Sequence, residues 1–318
     1  MSGFWSTVFN ADFVFAIFRI TAPILFAALG AIIAEKAGVT NIGLDGMMSI
    51  SALFGTLISY WTQSWLVGVL GAVLVGMILG LMMGFFALRL RTDIILTGIA
   101  MNMLGGGGTI FLLYMFTGLR GNTSSLSSPN ILIPTLNIPV LKDIPVLGSI
   151  FSGHSVLTYL AFILVFVVRF MLNRTSTGLN IRAVGENSDA ARSVGISVKR
   201  VQYIALIMSG ALAGFGGAFM SMYYSQSWNV GMIAGRGFIA LAAEAMGRSQ
   251  PVGAMFSSLI FGFAQALETR VSGIQGVSSF LVAAIPYLVT IIGLVVFVWS
   301  SRRKADKRRR QISTSDWE

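Results

Sequence analysis

Long stretches without a single charged residue constrain this chain most. Residues 46–88 contain no Asp, Glu, Lys or Arg. That length suffices for two helices that cross a bilayer, since each needs about 20 mostly apolar residues. Further charge-free stretches run 94–119, 144–168, 201–235, 249–267 and 271–301. Only 11% of the 318 residues are charged, whereas a soluble domain carries about 25%, so lipid is the expected solvent.

The sequence predicts an all-α fold, a polytopic transmembrane helical bundle of about 8–10 spans. The predicted spans lie near 13–33, 43–61, 66–89, 94–117, 153–172, 201–224, 252–268 and 280–300. Two further segments, 34–46 and 236–247, are predicted to form short or re-entrant helices. The first is polar and contains glycine, and the second is too short to cross alone.

Basic residues indicate the orientation of the chain. The loop 173–200 holds five basic residues against two acidic ones, and the tail 301–318 holds seven against three. Lys and Arg near span ends mark the cytoplasmic side. We therefore expect both regions, and the C-terminus, in the cytoplasm, and the Ser-, Asn- and Pro-containing loop 118–152 outside. The tail is interpreted as a membrane anchor, and no nucleic acid is expected as a partner.

The residue types that support chemistry are scarce. The chain has no cysteine and one histidine, His154, and no lysine follows any glycine. A thiol, a zinc cluster and a Walker A phosphate loop are therefore excluded. We expect no catalytic residue, no metal site and no cofactor in this chain.

Small residues indicate how the helices pack. Gly68, Ala72, Gly76, Gly80 and Gly84 recur at every fourth position, so they share one face and allow another helix to approach closely. The run 105–108 consists of four glycines. It is interpreted either as a flexible or closely packed helix segment, or as backbone exposed to a solute path.

The most informative hydrophilic stretch is TGLNIRAVGENSDAARSVGISVKRV, residues 177–201. Asn187 or Ser188 is a plausible N-cap for a short helix, and Gly195 would end it. The residues alone leave two interpretations open. The segment is either an ordinary cytoplasmic loop stiffened by one helical turn, or an element that docks into a groove of another protein.

Three stretches resemble a known family of permeases. They are VGENSDAARSVGI (184–196), EKAGVTNIGLDGMMSISALFG (35–55) and GRGFIALAAEAMGRSQPVGAMFSSLIFG (235–262). They are similar to the permeases of the branched-chain amino acid, ribose and nucleoside ABC importers. The nearest resemblance is to the nucleoside importers that use a basic-membrane-type lipoprotein receptor.

The resemblance implies a type II-like ABC importer permease in a bacterial plasma membrane. Residues 1–300 would form one transmembrane permease domain, and 301–318 a basic tail. A second permease, a cytoplasmic ABC ATPase that binds ATP and Mg, and a substrate-binding lipoprotein would be the partners. The substrate would be a nucleoside. The implied ATPase-coupling residues are Gly185, Glu186, Asn187, Ala190, Ala191, Arg192, Gly195 and Ile196.

Polar side chains at membrane depth are costly and therefore candidates for the solute path. The candidates are Asn41, Asp45, Thr97, Asn102 and Glu244. Asn41 is also a candidate helix cap, and Asn102 a candidate for bonding between helices. Asp45 replaces the Glu that is usual in the family. Glu244 stands where the family more often has an apolar residue, and it faces either a wet cavity or a cation such as Arg248.

Tyr223, Tyr224 and Trp228 cluster at the outer end of a predicted span. They are interpreted as an aromatic belt at the membrane interface or, alternatively, as a receptor-docking surface. Two alternative functions also stay open. One is an ABC permease for a sugar or branched-chain amino acid, and the other is an ion-coupled secondary transporter.

Overall fold

The computed structural model describes residues 10–126, 128–137 and 147–272, together with the single residues 288 and 295. The described part is a bundle of helices with one short antiparallel strand pair. The helices are α1 Ala11–Lys36, α2 Leu44–Thr62, α3 Trp65–Gly84, α4 Ile94–Met103, α5 Thr109–Thr117, α6 Leu147–Phe151, α7 Val156–Arg174, α8 Ser176–Glu186, α9 Ser188–Ser193, α10 Val198–Phe219, α11 Arg236–Met246 and α12 Pro251–Val271. The strands are β1 Thr135–Leu136 and β2 His154–Ser155. Single π-helical turns extend α3 (Phe85–Arg89) and α10 (Met220–Tyr224) and join α4 to α5 (Leu104–Gly108).

The described residues contain six helices that are long and apolar enough to cross a membrane. They are Ala11–Lys36, Trp65–Arg89, Ile94–Thr117, Val156–Arg174, Val198–Tyr224 and Pro251–Val271. Each coincides with a predicted span, so the polytopic helical bundle is confirmed. The predicted span 43–61 is helix α2, which is less apolar than these six. The predicted span 280–300 and the tail 301–318 lie outside the described residues, apart from positions 288 and 295.

Helix α1 forms the centre of the bundle. The side chain of Asn10 caps its first turn by accepting a hydrogen bond from the backbone N–H of Phe13 at 2.9 Å. All residues from Ile20 to Ala34 are buried, and α7, α10, α11 and α12 pack around them. A helix that is apolar on every face has to be enclosed by other helices or lipid, and here other helices enclose it.

The glycine stripe of α3 packs against α10, as its spacing predicts. A Cβ added at Gly76 would lie 2.1 Å from the carbonyl oxygen of Gly210. A Cβ added at Gly210 would lie 2.1 Å from the carbonyl oxygen of Gly76, so the contact is reciprocal. One turn further, a Cβ at Gly80 would lie 2.2 Å from the carbonyl oxygen of Leu206. The two backbones therefore touch directly, without side chains between them.

The prediction of a short or re-entrant helix at 34–46 is wrong. Helix α1 continues to Lys36 and α2 begins at Leu44, so residues 37–43 form a turn between two long helices. Gly38 adopts φ +73°, which ends α1 because a left-handed residue after the last turn redirects the chain. The backbone N–H of Val39 then bonds the carbonyl of Ala34 at 3.1 Å.

The prediction of a short helix at 236–247 is confirmed. Helix α11, Arg236–Met246, is 11 residues long, which at 1.5 Å per residue is about half the thickness of a bilayer core. The preceding segment passes beside the loop 118–137, because the N–H of Val230 bonds the carbonyl of Gly121 at 3.1 Å. This crossing is therefore part irregular and part helical.

Two ends of the bundle can be distinguished. The first, named here the loop end, carries residues 118–126, 128–137 and 147–155. Residues between 129 and 135 line a cleft with the turn between α2 and α3, and β2 pairs with β1. The second, named here the α8–α9 end, carries α8 and α9, which pack near the last turn of α1.

A stability measurement checks the α3–α10 contact. Gly76→Ala places a Cβ against backbone, where no side chain can give way, so we expect the free energy of unfolding to fall by about 1–3 kcal/mol. Thermal melting in detergent, followed by size-exclusion fluorescence, measures the change. Gly106→Ala is the matched control, because a Cβ there has no heavy atom within 4 Å. Equal melting temperatures for the two variants would contradict the contact.

Candidate functional site

The α8–α9 end is built from two short helices with explicit caps. Thr175 caps α8 by accepting a hydrogen bond from the N–H of Gly178 at 3.2 Å. Asn187 caps α9, since its side-chain oxygen accepts from the N–H groups of Asp189 at 3.0 Å and Ala190 at 2.9 Å. Gly195 ends the segment at φ +87°. The sequence interpretation of a capped short helix is confirmed, with Asn187 rather than Ser188 as the cap.

The two faces of this segment differ in chemistry. Ile181, Val184 and Ala191 are buried against the rest of the bundle. The outer face includes the ion pair between Arg192 and Asp189 at 3.2 Å, beside Val194, which is 76% exposed. Single exposed apolar side chains are common on protein surfaces, so Val194 identifies a position to test for contact with another protein.

The predicted coupling residues are distributed over both faces. Most of them are exposed, while Ala191 is buried and Ile196 is half-buried; the exposed ones are Gly185, Glu186, Asn187, Ala190, Arg192 and Gly195. The prediction omitted Val194 and Leu179, which are 76% and 59% exposed. The available signal was the presence of single apolar residues in a hydrophilic run.

Asn102 joins two helices inside the bundle. Its side-chain oxygen accepts a hydrogen bond from the N–H of Gly46 at 2.8 Å, and its amide donates to the carbonyl of Ile42 at 2.9 Å. The first bond satisfies a free N–H in the first turn of α2, and the second satisfies a carbonyl of the preceding turn. The amide therefore has interhelical partners, one of the two roles considered for it.

Asn41 is enclosed in a comparable way. It is 1% exposed. Its side-chain oxygen accepts from the N–H of Gly43 at 3.0 Å, and its amide donates to the hydroxyl of Ser209 at 2.9 Å. Asn41 therefore stabilises the turn before α2 and does not cap the helix, because the N-cap of α2 is Gly43, which has no side chain to accept from the first helical turn. A solute has no access to the Asn41 side chain in the present conformation.

Asp45 links the starts of two helices. Its carboxylate accepts a hydrogen bond from the N–H of Gly237 at 3.0 Å, in the first turn of α11, while Asp45 itself lies in the first turn of α2. A carboxylate at helix N-termini is favoured because unpaired N–H groups gather there. Arg236 lies within electrostatic range of Asp45.

Thr97 and Glu244 have local partners. The Thr97 hydroxyl donates to the carbonyl of Asp93 at 2.8 Å and borders an apolar groove of about 460 Å³ between α3 and α4. The carboxylate of Glu244, which is 7% exposed, accepts a hydrogen bond from the hydroxyl of Ser249. These two residues and Asn41, Asp45 and Asn102 therefore do not converge on one cavity.

The glycine run 105–108 has two different faces. A Cβ at Gly105 would lie 2.3 Å from the Cα of Gly46, whereas Cβ atoms at Gly106 and Gly107 would meet nothing within 4 Å. One face of this π-helical turn is closely packed, as the first interpretation predicts. The other face is bare backbone on the surface of the described bundle.

A charged aromatic cluster inside the bundle was missed by sequence reasoning. The guanidinium groups of Arg19 and Arg236 lie 5.1 and 5.4 Å from the ring centre of Tyr224. Each is within the distance of a cation–π contact. The available signal for this cluster was Arg19 itself, a charge inside an apolar span.

Trp228 is 1% exposed, so it belongs neither to an interfacial belt nor to a docking surface.

Comparison with known proteins identifies the family. Residues 13–298 match the family described as the permease component of branched-chain amino acid transport systems. The guanosine ABC transporter permease protein NupQ of Bacillus subtilis is 35% identical over 288 residues, which are 87% of this chain and 89% of NupQ. The nucleoside ABC transporter permease protein NupC of Lactococcus lactis is 34% identical over 289 residues, again 87% and 89% of the two chains.

A solved structure agrees in fold. An ABC transporter of the metal-chelate type, in an inward-facing conformation, superposes with a TM-score of 0.52 at 17% identity. The match covers 90% of this chain and 85% of that chain. Together with the family match over almost the whole length, this places the chain among the multi-pass membrane subunits of ABC transporters. The chain belongs to the branched-chain amino acid-type permease family and is a permease subunit of an ABC importer.

Proposed function

We propose that this permease imports nucleosides. The observation that carries the proposal is the similarity to NupQ and NupC, whose names specify guanosine and nucleosides, over 87% of the chain. The three motifs that resemble nucleoside importers in the sequence lie within the matched region. A sugar or branched-chain amino acid is the competing substrate class, because one scaffold can serve several solutes.

The proposed assembly has four kinds of subunit. This chain pairs with a second permease, and the pair rests on a cytoplasmic ABC ATPase, which binds ATP and Mg. A substrate-binding lipoprotein delivers the solute from outside. In this arrangement the α8–α9 end and the C-terminus face the cytoplasm of a bacterial cell. The excess of basic residues in 173–200 and 301–318 supports this orientation.

The chain itself contributes no catalysis in this proposal. Residues 185–196 receive the closure of the ATPase, because a short, capped helix moves as a rigid body. Five polar residues inside the bundle are proposed for the solute path: Asn41, Asp45, Thr97, Asn102 and Glu244. Asn41, Asp45 and Asn102 contribute by holding the starts of α2 and α11 in place, whereas Thr97 lines the apolar groove between α3 and α4 and Glu244 bonds Ser249. The bonds of Asn102 and Asp45 to helix N–H groups support the role proposed for these two residues.

The proposed function is tested by co-purification and uptake. Tagged protein extracted from its native membrane is expected to bring down a second permease and an ATPase, identified by mass spectrometry. The complex in liposomes, with its lipoprotein and internal ATP, is expected to take up labelled guanosine. Unlabelled nucleosides are expected to compete, and glucose or leucine is not. Uptake that only a sugar or an amino acid inhibits would refute the nucleoside assignment.

A single substitution tests whether Val194 contributes to docking of the ATPase. Val194→Asp places a charge where the ATPase groove is expected to be apolar, so recovery of the ATPase with the permease is expected to fall about tenfold or more. Quantitative pull-down measures it. Val230→Asp is the matched control, because Val230 is 50% exposed at the loop end. Equal loss in both variants would refute a docking role.

Two substitutions of Asp45 distinguish the effect of its hydrogen bond from the effect of its charge. Asp45→Asn keeps an oxygen that can accept from the N–H of Gly237, whereas Asp45→Leu leaves that N–H unpaired. An unpaired buried N–H costs about 1–3 kcal/mol, so we expect Asp45→Leu to lower both the melting temperature and uptake. Asp45→Asn is expected to retain most of the melting temperature. If both variants melt equally low, the charge rather than the hydrogen bond matters.

A further inference from the structure

At Gly185, the last turn of α8 closely approaches the backbone of the last turn of α1. A Cβ added at Gly185 would lie 2.2 Å from the carbonyl oxygen of Lys36 and 3.2 Å from the N–H nitrogen of Gly38. From the other side, a Cβ at Gly38 would lie 3.5 Å from the Cα of Gly185. Contacts of this kind cannot relax by a rotamer change, so a displacement of one backbone displaces the other.

The receiving turn of α1 is braced from several sides. The hydroxyl of Thr40 donates to the carboxylate of Glu35 at 2.9 Å, which ties the two ends of the turn together. The side chain of Gln202, near the start of α10, donates to the carbonyl of Ala37 at 3.4 Å. Two backbone bonds, from the N–H groups of Gly38 and Val39, close the turn. A braced turn transmits a displacement instead of absorbing it.

The turn between α11 and α12 reaches the same place. A cleft of about 340 Å³ lies between this turn and the ends of α1 and α8. It is lined by Glu35, Lys36, Arg182, Gly185, Glu186 and Ser249. The hydroxyl of Ser249 donates to the carboxylate of Glu244, which lies within electrostatic range of Glu35 and Lys36. The ends of α1 and α8 and the link from α11 to α12 therefore meet in one joint.

Helix α1 is well placed to distribute a movement. The α8–α9 end is covalently connected to α7 and α10, and α7 also packs on α12. Among the elements that α8 contacts, α1 is the one that packs on both α11 and α12. Its residues 20–34 are entirely enclosed by these neighbours. A shift applied at Lys36 therefore acts on two elements. It acts on α2, because α1 continues into the turn before α2, and on α11, because α1 packs against α11.

We propose that the movement of the ATPase-docking helices enters the membrane through the contact between Gly185 and the Lys36–Gly38 turn of α1. Gly185 is a positioning residue in this scheme and touches no substrate. The inference rests on the proposed function, since it assigns the route by which ATPase closure acts on the solute path. Its specific claim is that α1, which is not connected to α8–α9 by a loop, receives the displacement.

The first test uses the complete transporter in liposomes with its lipoprotein and guanosine. Gly185→Ala places a Cβ against the carbonyl of Lys36. Because Gly185 belongs to the segment that receives ATPase closure, recovery of the ATPase and basal hydrolysis are measured in the same sample, and stimulated hydrolysis and uptake are expressed relative to them. The lipoprotein-stimulated part of hydrolysis and the uptake are expected to fall about tenfold, in the range of typical coupling free energies. Thr177→Ala, an exposed change in the same helix, is the control and is expected to behave as wild type. Wild-type stimulation and uptake in Gly185→Ala would overturn the proposal.

A second variant keeps the test decisive if Gly185→Ala fails to assemble. Thr40→Ala removes only the exposed brace to Glu35, and we expect it to assemble normally but to lose severalfold in stimulated hydrolysis. Thr62→Ala is the matched control, because it removes an exposed threonine hydroxyl that bonds Ile58 at the other end of α2. Identical stimulation in Thr40→Ala and Thr62→Ala would overturn the role of the turn.

The same assays separate the two levels of inference. If wild-type protein recovers no ATPase, or hydrolysis does not respond to the lipoprotein, the proposed function fails together with the coupling route. If wild type responds normally and both Gly185→Ala and Thr40→Ala also respond normally, the coupling route alone is wrong. In that case α7 or α10 carries the displacement.

Discussion

A backbone N–H or C=O that leaves a helix inside a membrane needs a new partner, and much of this structure follows from that requirement. Lipid supplies no hydrogen bonds, so an irregular segment survives there only when protein groups satisfy it. Residues 37–43 and 225–235 are two segments that leave helical geometry beside the apolar helices, and protein groups likewise satisfy part of their backbone. Asn41 and Asn102 supply partners for the first, and the carboxylate of Asp45 supplies one at the end of the second. The few polar side chains of an apolar chain are thus concentrated at its breaks.

Close approach of helices is the second constraint. Apolar side chains gain little by leaving lipid for a protein interior, so helices in membranes associate where their backbones fit closely. Gly30 shows this on α1, because a Cβ there would lie 2.9 Å from the carbonyl oxygen of Ser209. Ser209 also accepts the amide of Asn41 through its hydroxyl. The same position of α10 therefore serves both constraints, close packing and the satisfaction of an irregular turn.

The sequence predicts periodic features well, but it predicts contacts between residues far apart in the chain poorly. Charge-free length located five of the six apolar helices, and the first was predicted from an apolar run whose only charge is Arg19. Four-residue spacing predicted the face of α3 that contacts α10. Neither signal can reveal that Asp45 reaches Gly237, because that bond joins residues 192 positions apart. The segment 34–46 was misassigned because polar glycine-containing composition describes a turn and a short helix equally well. For the site, Asn187 and Gly195 follow from local capping rules, whereas the contact of Gly185 with Lys36 depends on tertiary packing. Val194 stands out in the sequence as an apolar residue in a hydrophilic run, but its 76% exposure is a tertiary property.

The reciprocal contact between Gly76 and Gly210 has a consequence for how the protein changes shape. The backbones of α3 and α10 touch at successive turns. Sliding or rotation of one helix against the other would therefore bring main-chain atoms into collision. We therefore expect α3 and α10 to move as one rigid unit when other helices change position. The π-helical turn at Leu104–Gly108, with the bare backbone of Gly106 and Gly107 on its open face, has no comparable interlock on that side. The crossing formed by α4 and α5 is therefore held on one face within the described bundle, where Gly105 and Gly98 lie close to the backbone of Gly46 and Gly43.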